Sequence, residues 1–212
     1  MMKKIHDTIH KTQDKVNGIL VVISGPSGVG KGTICRELVK RLDYAYLNVS
    51  VTTRLKTDKE VSGKDYRFIS KEEFQKRIKK GMFLEYAEVF GNFYGTPKDK
   101  VDEQIAAGKA VILEIDVQGG RQIKAKYPDA VMIFIVAPTQ KDLAERLKDR
   151  ARDEAEVQEK RLGQAGIEIA AGMQDYEHIV INDKLQEAVD EVAGIVDAAY
   201  KAKMKVSIGV KK

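Results

Sequence analysis

Cysteine is nearly absent from this chain. One residue, Cys35, in 212 excludes an internal disulfide. Cys35 follows a glycine-rich stretch inside a helical pattern, and its expected part is that of a small packing residue. No apolar run reaches the ~18 residues needed to cross a bilayer, so no membrane partner is expected. The first residues (MMKKIHDTIHKTQDKVNG) are polar and lack an apolar centre, so they are expected to be an extension, with no secretory leader and a cytoplasmic setting. No internal repeat or low-complexity segment is evident. Histidines number three (His6, His10, His178), and none has catalytic company in the text. Histidine-based acid–base and metal chemistry are therefore poor starting points.

What is present is a charged chain with enough apolar residues for a core. Hydrophobic residues make up 43% and charged residues 33%, with net charge +5 and pI about 9.0. A basic balance can mean nucleic acid, but it equally suits a protein that binds phosphate-rich small molecules. The positive residues are dispersed except in the last twelve, KAKMKVSIGVKK (201–212), where a solvated basic tail is expected. No nucleic-acid partner is expected, and oligomeric state stays open.

Residues Ile19 to Thr33 read ILVVISGPSGVGKGT. A buried-strand run enters a loop with Gly25, Gly28 and Gly30, then Lys31, then a helix with Ile34, Leu38, Val39 and Leu42 on one side. Strand, glycine loop, lysine and helix in this order form a phosphate-binding P-loop. The glycines let successive N–H groups face one anion, and the helix start adds its own N–H groups and positive dipole end. Lys31 supplies a point charge for the terminal phosphates. Gly25, Pro26, Ser27, Gly28, Val29, Gly30, Lys31, Gly32 and Thr33 are thus the expected ATP-binding loop. A glycine-rich turn without a ligand is the plainer alternative, but four features agree against it. Gly32 stands where a Ser or Thr hydroxyl usually touches magnesium, so Thr33 or a water must take that place. The form GKGT is similar to that of nucleoside monophosphate kinases.

Four short aliphatic runs, Ile19–Ile23, Val111–Ile115, Val131–Val136 and Ile179–Ile181, read as buried parallel strands separated by helix-length segments. Residues 139–150 and 184–200 read as helices. The predicted fold is α/β: a P-loop-type parallel sheet flanked by helices, an inserted small mixed α+β lobe, and a helical lid. Core pieces are expected at 18–47, 99–138 and 169–200, the lobe at 48–98, the lid at 139–168, an extension at 1–17 and the tail at 201–212. Within the lobe, Asn48–Thr52 and Tyr66–Ile69 look β-like. Ser70 and Glu73 form a capping-box pattern at the start of a short helix with Phe74 and Ile78 on its apolar face. Glu114 and Asp116, two apart, are expected on one face at the end of one strand.

Beyond the P-loop stand SVTTRLKTDKEVSGKDYRF (Ser50–Phe68), FLEYAEVFGNFYGTP (Phe83–Pro97) and VILEIDVQGG (Val111–Gly120). These four ordered segments closely resemble guanylate kinase, over nearly all of residues 19–200. The resemblance implies transfer of the terminal phosphate of ATP to GMP, and possible use of dGMP, with magnesium (Mg2+). It implies that Glu85 and Asp116 take the donor edge of guanine, that Ser50 reaches O6, and that Thr96 assists at the base. The same resemblance places Arg54, Tyr66 and Tyr94 at the GMP phosphate, with Glu60 holding the arginine. Glu114 falls on the metal side, together with Thr33. Lid arginines Arg146, Arg150 and Arg161 are implied to close on the transferring phosphate beside Lys31, and Asn182 to face adenine. For Arg146, a solvated helix face paired with Asp142 is an equal reading.

The chain departs from the family pattern T-R-x-P-R-x-G-E, reading Thr53-Arg54-Leu55-Lys56-Thr57-Asp58-Lys59-Glu60. Thr57 replaces the second arginine of the phosphate fork, and losing such a charged hydrogen bond costs ~1.5–3 kcal/mol. The expectation is weaker GMP binding, with Lys56 or Lys59 restoring some charge. The lid also carries Ala151-Arg152 where the family has Gly-Thr. Two alternatives stand beside the kinase: a P-loop kinase with another acceptor, kept open by Thr57, and a non-catalytic protein-binding module of the same family. Such modules typically lose the loop lysine and glycines, which are present here.

Overall fold

The computed structural model describes residues 18–148 and 155–209. Five parallel strands make the main sheet: β1 (Ile19–Ser24), β2 (Ala45–Leu47), β7 (Ala110–Glu114), β8 (Val131–Val136) and β9 (His178–Ile181). Their order across the sheet is β2-β7-β1-β8-β9. β1 is central, with β7 and β8 on either side, so a topological switch lies at its carboxyl end. Open α/β sheets hold ligands at that point.

Parallel strands covered on both faces read as unbroken aliphatic runs, and all six residues of β1 are buried. Side-chain alternation divides them between two cores. Ile19, Val21 and Ile23 pack with α1 (Lys31–Arg41) through Ile34, Cys35 and Leu38, and with α7 (Leu185–Gly209) through Val189, Val192 and Val196. Leu20 and Val22 face α3 (Lys98–Ala106) and α4 (Val117–Lys126), meeting Val101 and Ile123. The expected packing role of Cys35 holds: its side chain is wholly buried.

The second sheet has the order β4-β3-β6-β5, built from β3 (Val51–Thr52), β4 (Arg67–Phe68), β5 (Phe83–Val89) and β6 (Asn92–Pro97). Its apolar side is small, with Phe74 of α2 (Lys71–Lys79) stacked on Phe83 at 4.5 Å and Phe93 at 5.4 Å. Ser70 caps α2, its Oγ accepting from the Glu73 N–H at 3.2 Å. The Glu73 carboxylate turns to Arg77 instead of closing the capping box.

Three expectations need correcting. The sheet has a fifth strand, β2, whose three half-buried residues carry too short a run to stand out. β7 ends at Glu114, and Asp116 is the N-cap of α4, accepting from the Gly119 N–H at 3.0 Å. A carboxylate just before a helix is a better cap than a strand residue. The last helix, expected over 184–200, runs to Gly209 through most of the basic stretch. Tyr200 stacks on Tyr44 at 4.0 Å, and Lys201 pairs with Asp197 one turn earlier, which carry the helix past the core. Between Gln140 and Asp175 two helices are described, α5 (Gln140–Lys148) and α6 (Ala155–Asp175). The extension 1–17, Arg150 and Ala151-Arg152 lie outside the described residues, and of Arg161 only the helical backbone is described.

Candidate active site

A cleft of about 1210 Å³ opens between the two sheets at the carboxyl end of β1. Single small-ligand pockets run to roughly 1,000 Å³, so this one is large enough for two nucleotides side by side. Its walls bring together the glycine loop with Lys31 and Thr33, the lobe residues Ser50, Arg54, Glu60, Tyr66, Glu85 and Tyr94, and Glu114 and Asp116 from the β7–α4 corner.

The donor side is made of backbone. Gly30 is the N-cap of α1 at φ +93°, a left-handed conformation that L side chains resist. A Cβ there would also lie 2.6 Å from Asn182 Nδ2. That amide donates to the Val29 carbonyl at 2.8 Å, so Asn182 braces the loop from behind. An adenine contact by the same N–H would need that bond broken. Lys31 Nζ donates to the Gly25 and Pro26 carbonyls at 2.6 and 2.9 Å, curling over the loop it serves. Ser27 and Gly28 line the cleft, whereas Val29 is wholly buried in the core.

Gly32 approaches Glu114: a Cβ at residue 32 would lie 3.3 Å from the Glu114 carboxylate. A hydroxyl-bearing side chain would press into that carboxylate, so glycine leaves room between helix start and Glu114. Thr33 Oγ1 accepts a long contact from Arg36 at 3.4 Å. Among the described residues no group of three or more His, Cys, Asp or Glu could hold a metal by itself. Magnesium does not need one, since it keeps waters and takes one or two protein oxygens plus substrate phosphates. The space beside Glu114 and Thr33 fits that mode.

The acceptor side is made of side chains. Glu85 of β5 is 3% exposed and accepts from Thr96 Oγ1 of β6 at 2.6 Å. The adjacent strands of the hairpin hold this pair in register. Burial pushes the Glu85 carboxyl up to about 7; the Thr96 hydroxyl opposes this and the Asp116 charge adds to it. Two glycines let α4 close on the site. A Cβ at Gly119 would lie 2.5 Å from Glu85 Oε2, and one at Gly120 would collide with the Tyr176 hydroxyl. Ser50 is buried beside Thr52 at the edge of β3. Thr96 itself is wholly buried behind Glu85.

At the far end, Arg54 forms a two-pronged pair with Glu60, at 3.1 and 2.6 Å, and lies over the Tyr66 and Phe68 rings. The Arg54 hydrogen bonds hold the Glu60 carboxyl down at about 2, with burial opposing them and Thr57 helping. Thr57 gives Glu60 both its N–H, at 2.9 Å, and its hydroxyl, at 2.7 Å. The replacement therefore keeps the carboxylate fixed but adds no positive charge. Lys56 turns to the Thr57 and Glu60 carbonyls, while Lys59 lines the cleft. Tyr94 packs edge-on to Tyr66 at 5.9 Å, and burial raises the Tyr66 hydroxyl above its usual range.

Arg146 does not take the Asp142 partner open to it on its helix. It reaches across to the Asn182 carbonyl at 2.8 Å, while Asp142 joins Thr139. Several cleft residues escape the sequence reading, two polar ones among them being Glu168 and Asn48. Glu168 of α6 lines the cleft, its carboxyl raised by burial and lowered by Lys31. It sits at the end of a charge-rich stretch, where one more glutamate carries no signal. Asn48 is buried in the wall with an amide nitrogen that has no hydrogen-bond partner. Its place just before the SVTTR segment is the available clue.

The chain as a whole is similar to known proteins. The family model of guanylate kinase matches residues 17–199. A guanylate kinase of Carboxydothermus hydrogenoformans is 46% identical over 181 residues, covering 85% of this chain and 88% of that protein. One from Myxococcus xanthus is 42% identical over 191 residues, covering 90% and 91%. The crystal structure of guanylate kinase from Anaplasma phagocytophilum superposes with TM-score 0.73 at 32% identity, covering 86% of each chain. With the match extending through the loop, the second sheet and the last helix, the chain belongs to the guanylate kinase family.

Proposed function

We infer that the protein transfers the terminal phosphoryl group of ATP to GMP, giving ADP and GDP. The observation that carries this reading is the buried Glu85–Thr96 pair facing Asp116 in the same cleft as the glycine loop. Guanine presents two donors, N1–H and the N2 amine, beside the O6 acceptor. Two carboxylates match the donors, and Ser50 offers a hydroxyl to O6. Adenine reverses that edge and leaves Glu85 without a donor, which is the kind of mismatch that discriminates most strongly.

The donor phosphates lie in the loop, on backbone N–H groups between Ser27 and Gly32 and at the positive end of α1, with the Thr33 N–H kept by the Gly30 carbonyl. Lys31 leaves the loop carbonyls for the terminal phosphates. The GMP phosphate lies at Arg54, Tyr66 and Tyr94, with Glu60 and Thr57 holding the guanidinium. A GMP phosphate oxygen attacks the γ-phosphorus in line as the bond to the β–γ bridging oxygen breaks, and charge gathers on that leaving oxygen. Lys31 and the lid arginines Arg146, Arg150 and Arg161 supply positive charge there. Glu114 and Thr33 would hold magnesium, directly or through water, and the ion would neutralise phosphate charge there. No side-chain base is required, because the accepting phosphate is already ionised.

The lobe 48–98 and the lid 139–168 close on the core when both nucleotides bind, which keeps water from the terminal phosphate. With one arginine in the phosphate fork, GMP is held more weakly than two would hold it. Both substrates are free nucleotides, and a cytoplasmic setting goes with that reading. Among the described residues no helix is long and apolar enough to cross a membrane.

An assay coupled to ADP release, with ATP and magnesium and with GMP, dGMP, AMP, CMP and UMP offered in parallel, tests the reading. Turnover confined to GMP, or to GMP and dGMP, is expected. Turnover of AMP at a comparable rate would remove the base-reading role of Glu85 and Asp116.

A further inference from the structure

The P-loop and the base-reading corner are joined through one buried chain of hydroxyls. Tyr176 follows α6, and its hydroxyl donates to Ser24 Oγ at 2.6 Å. Ser24 is the last residue of β1, directly before Gly25, and is wholly buried. Its hydroxyl donates to the Ile115 carbonyl at 2.8 Å, with the Asp116 carbonyl 3.4 Å away. Ile115 and Asp116 form the turn from β7 into α4. A serine hydroxyl between two carbonyls can swing between them, and the incoming Tyr176 hydroxyl fixes which way it points.

The surroundings are shaped for this contact. Gly120 has no side chain, and a Cβ there would occupy the position of the Tyr176 hydroxyl. The Tyr176 ring lies 5.3 Å from Phe134, and Gly172 leaves that ring room against α6. Upstream on the same helix, Glu168 lines the cleft, and the helix begins at Ala155 in the expected lid. The position of α6 is thus passed through two hydroxyls to the start of the P-loop and to the residue that caps α4.

We propose that Tyr176 and Ser24 are positioning residues for the phosphoryl transfer, setting the Ile115–Asp116 corner against the P-loop so that guanine and the donor phosphates are held in register. The proposal rests on the assignment of Asp116 to the guanine edge. Neither side chain touches substrate. They act through Asp116, and small displacements of a bound reactant are enough to slow a transfer step.

Tyr176→Phe keeps the ring and removes the donor, and Ser24→Ala removes the middle of the chain. Each is expected to lower kcat with GMP about tenfold and to raise the GMP KM. ATP affinity, read with a non-hydrolysable analogue, should stay within about twofold, because the loop N–H groups are untouched. The double variant should be no worse than either single one, since both break one chain. Folded variants with wild-type kcat and GMP KM overturn the proposal, as do losses that add in the double variant or that fall equally on ATP binding. Failure of both variants to fold at room temperature overturns it too, making the pair a structural pin only. An unaltered protein that does not phosphorylate GMP refutes the underlying reading itself, a separate outcome from active protein with indifferent variants.

Discussion

The two halves of the cleft are built by opposite means. On the proposed donor side the groups offered are backbone N–H groups of one contiguous loop, shaped by glycines and backed by the start of α1. On the proposed acceptor side they are side chains that flank β3, lie on β5 and β6, in the segment before β4 and at the β7–α4 corner, brought together only by the second sheet and its packing. A backbone site has few side chains to lose and is disabled mainly by filling its space. A side-chain site can be tuned one group at a time, and Thr57 in place of an arginine is such an adjustment. The difference extends to charge. Lys31 sits within a cradle of carbonyls, whereas Glu85 is a carboxylate kept almost dry beside a second carboxylate.

Removing the one cationic side chain of the loop should have the largest effect. Lys31→Ala is expected to lower kcat by about 10²–10³-fold with the fold intact, as for loss of a preorganised charge at the transferring group. A steady-state assay with circular dichroism as the fold control checks this. A loss confined to the ATP KM would mean that the lysine only binds.

Glu85→Gln strikes the acceptor side and should split function from stability. The substituted amide can still accept from Thr96 but meets a guanine donor poorly, so kcat/KM for GMP should fall about 10–100-fold while ATP affinity is unchanged. The folded carboxyl titrates near 7 against an unfolded value of 4.5, so the folded state holds the proton more tightly. Stability contributed at this position is present below the unfolded value and is lost as pH rises through the folded one. The glutamine variant should therefore melt higher at about pH 8, by on the order of 3 kcal/mol, and show no gain below about pH 4.5. Equal melting at both extremes would show that Glu85 is not held dry.

The same carboxyl predicts a pH dependence confined to the acceptor. Its ionised form is the stronger acceptor for a guanine N–H, so GMP affinity should rise severalfold from about pH 6 to about pH 8 and then level off. Because the phosphate of GMP also titrates near ~6, guanosine competition isolates the base term. Affinity for guanosine that is flat across this range would shift the base contact to Asp116 and Ser50. A gain should come from restoring the fork: Thr57→Arg is expected to lower the GMP KM about tenfold and to leave ATP binding alone. An unchanged KM would show that Lys59 already supplies the charge. The smallest effect belongs outside both sites. Ser70→Ala should cost about 1 kcal/mol of stability through loss of the α2 cap, with kinetics unaltered. Isothermal denaturation reads that difference.

How much is legible in the chain follows this division. Gly25 to Thr33 lie in one stretch, so spacing alone reveals the loop, and the buried strands stand out because both of their faces are covered. β2 does not, because an edge strand of three half-buried residues carries no periodic pattern. The β5–β6 hairpin turns on Phe90-Gly91, both at positive φ, and a phenylalanine at that position conceals the turn. Glu85 and Thr96 can be named only through resemblance, since nothing local distinguishes a cleft glutamate from an exposed one. Asp116 does line the cleft, but not from the place that spacing suggests, because two apart implies a strand face where the chain has already turned into a helix cap.

The order of residues by itself determined the phosphate loop, the two-faced sheet and the family, because each depends on local spacing or on a run of ordered motifs. Tertiary structure alone decided that Glu85 is dry, that Thr57 binds Glu60, that Arg146 leaves Asp142 for the Asn182 carbonyl, and that Tyr176 meets Ser24 across 152 positions. Desolvation and long-range hydrogen bonds depend on which surfaces meet after the chain has folded. Neither composition nor periodicity carries that information until the backbone has closed.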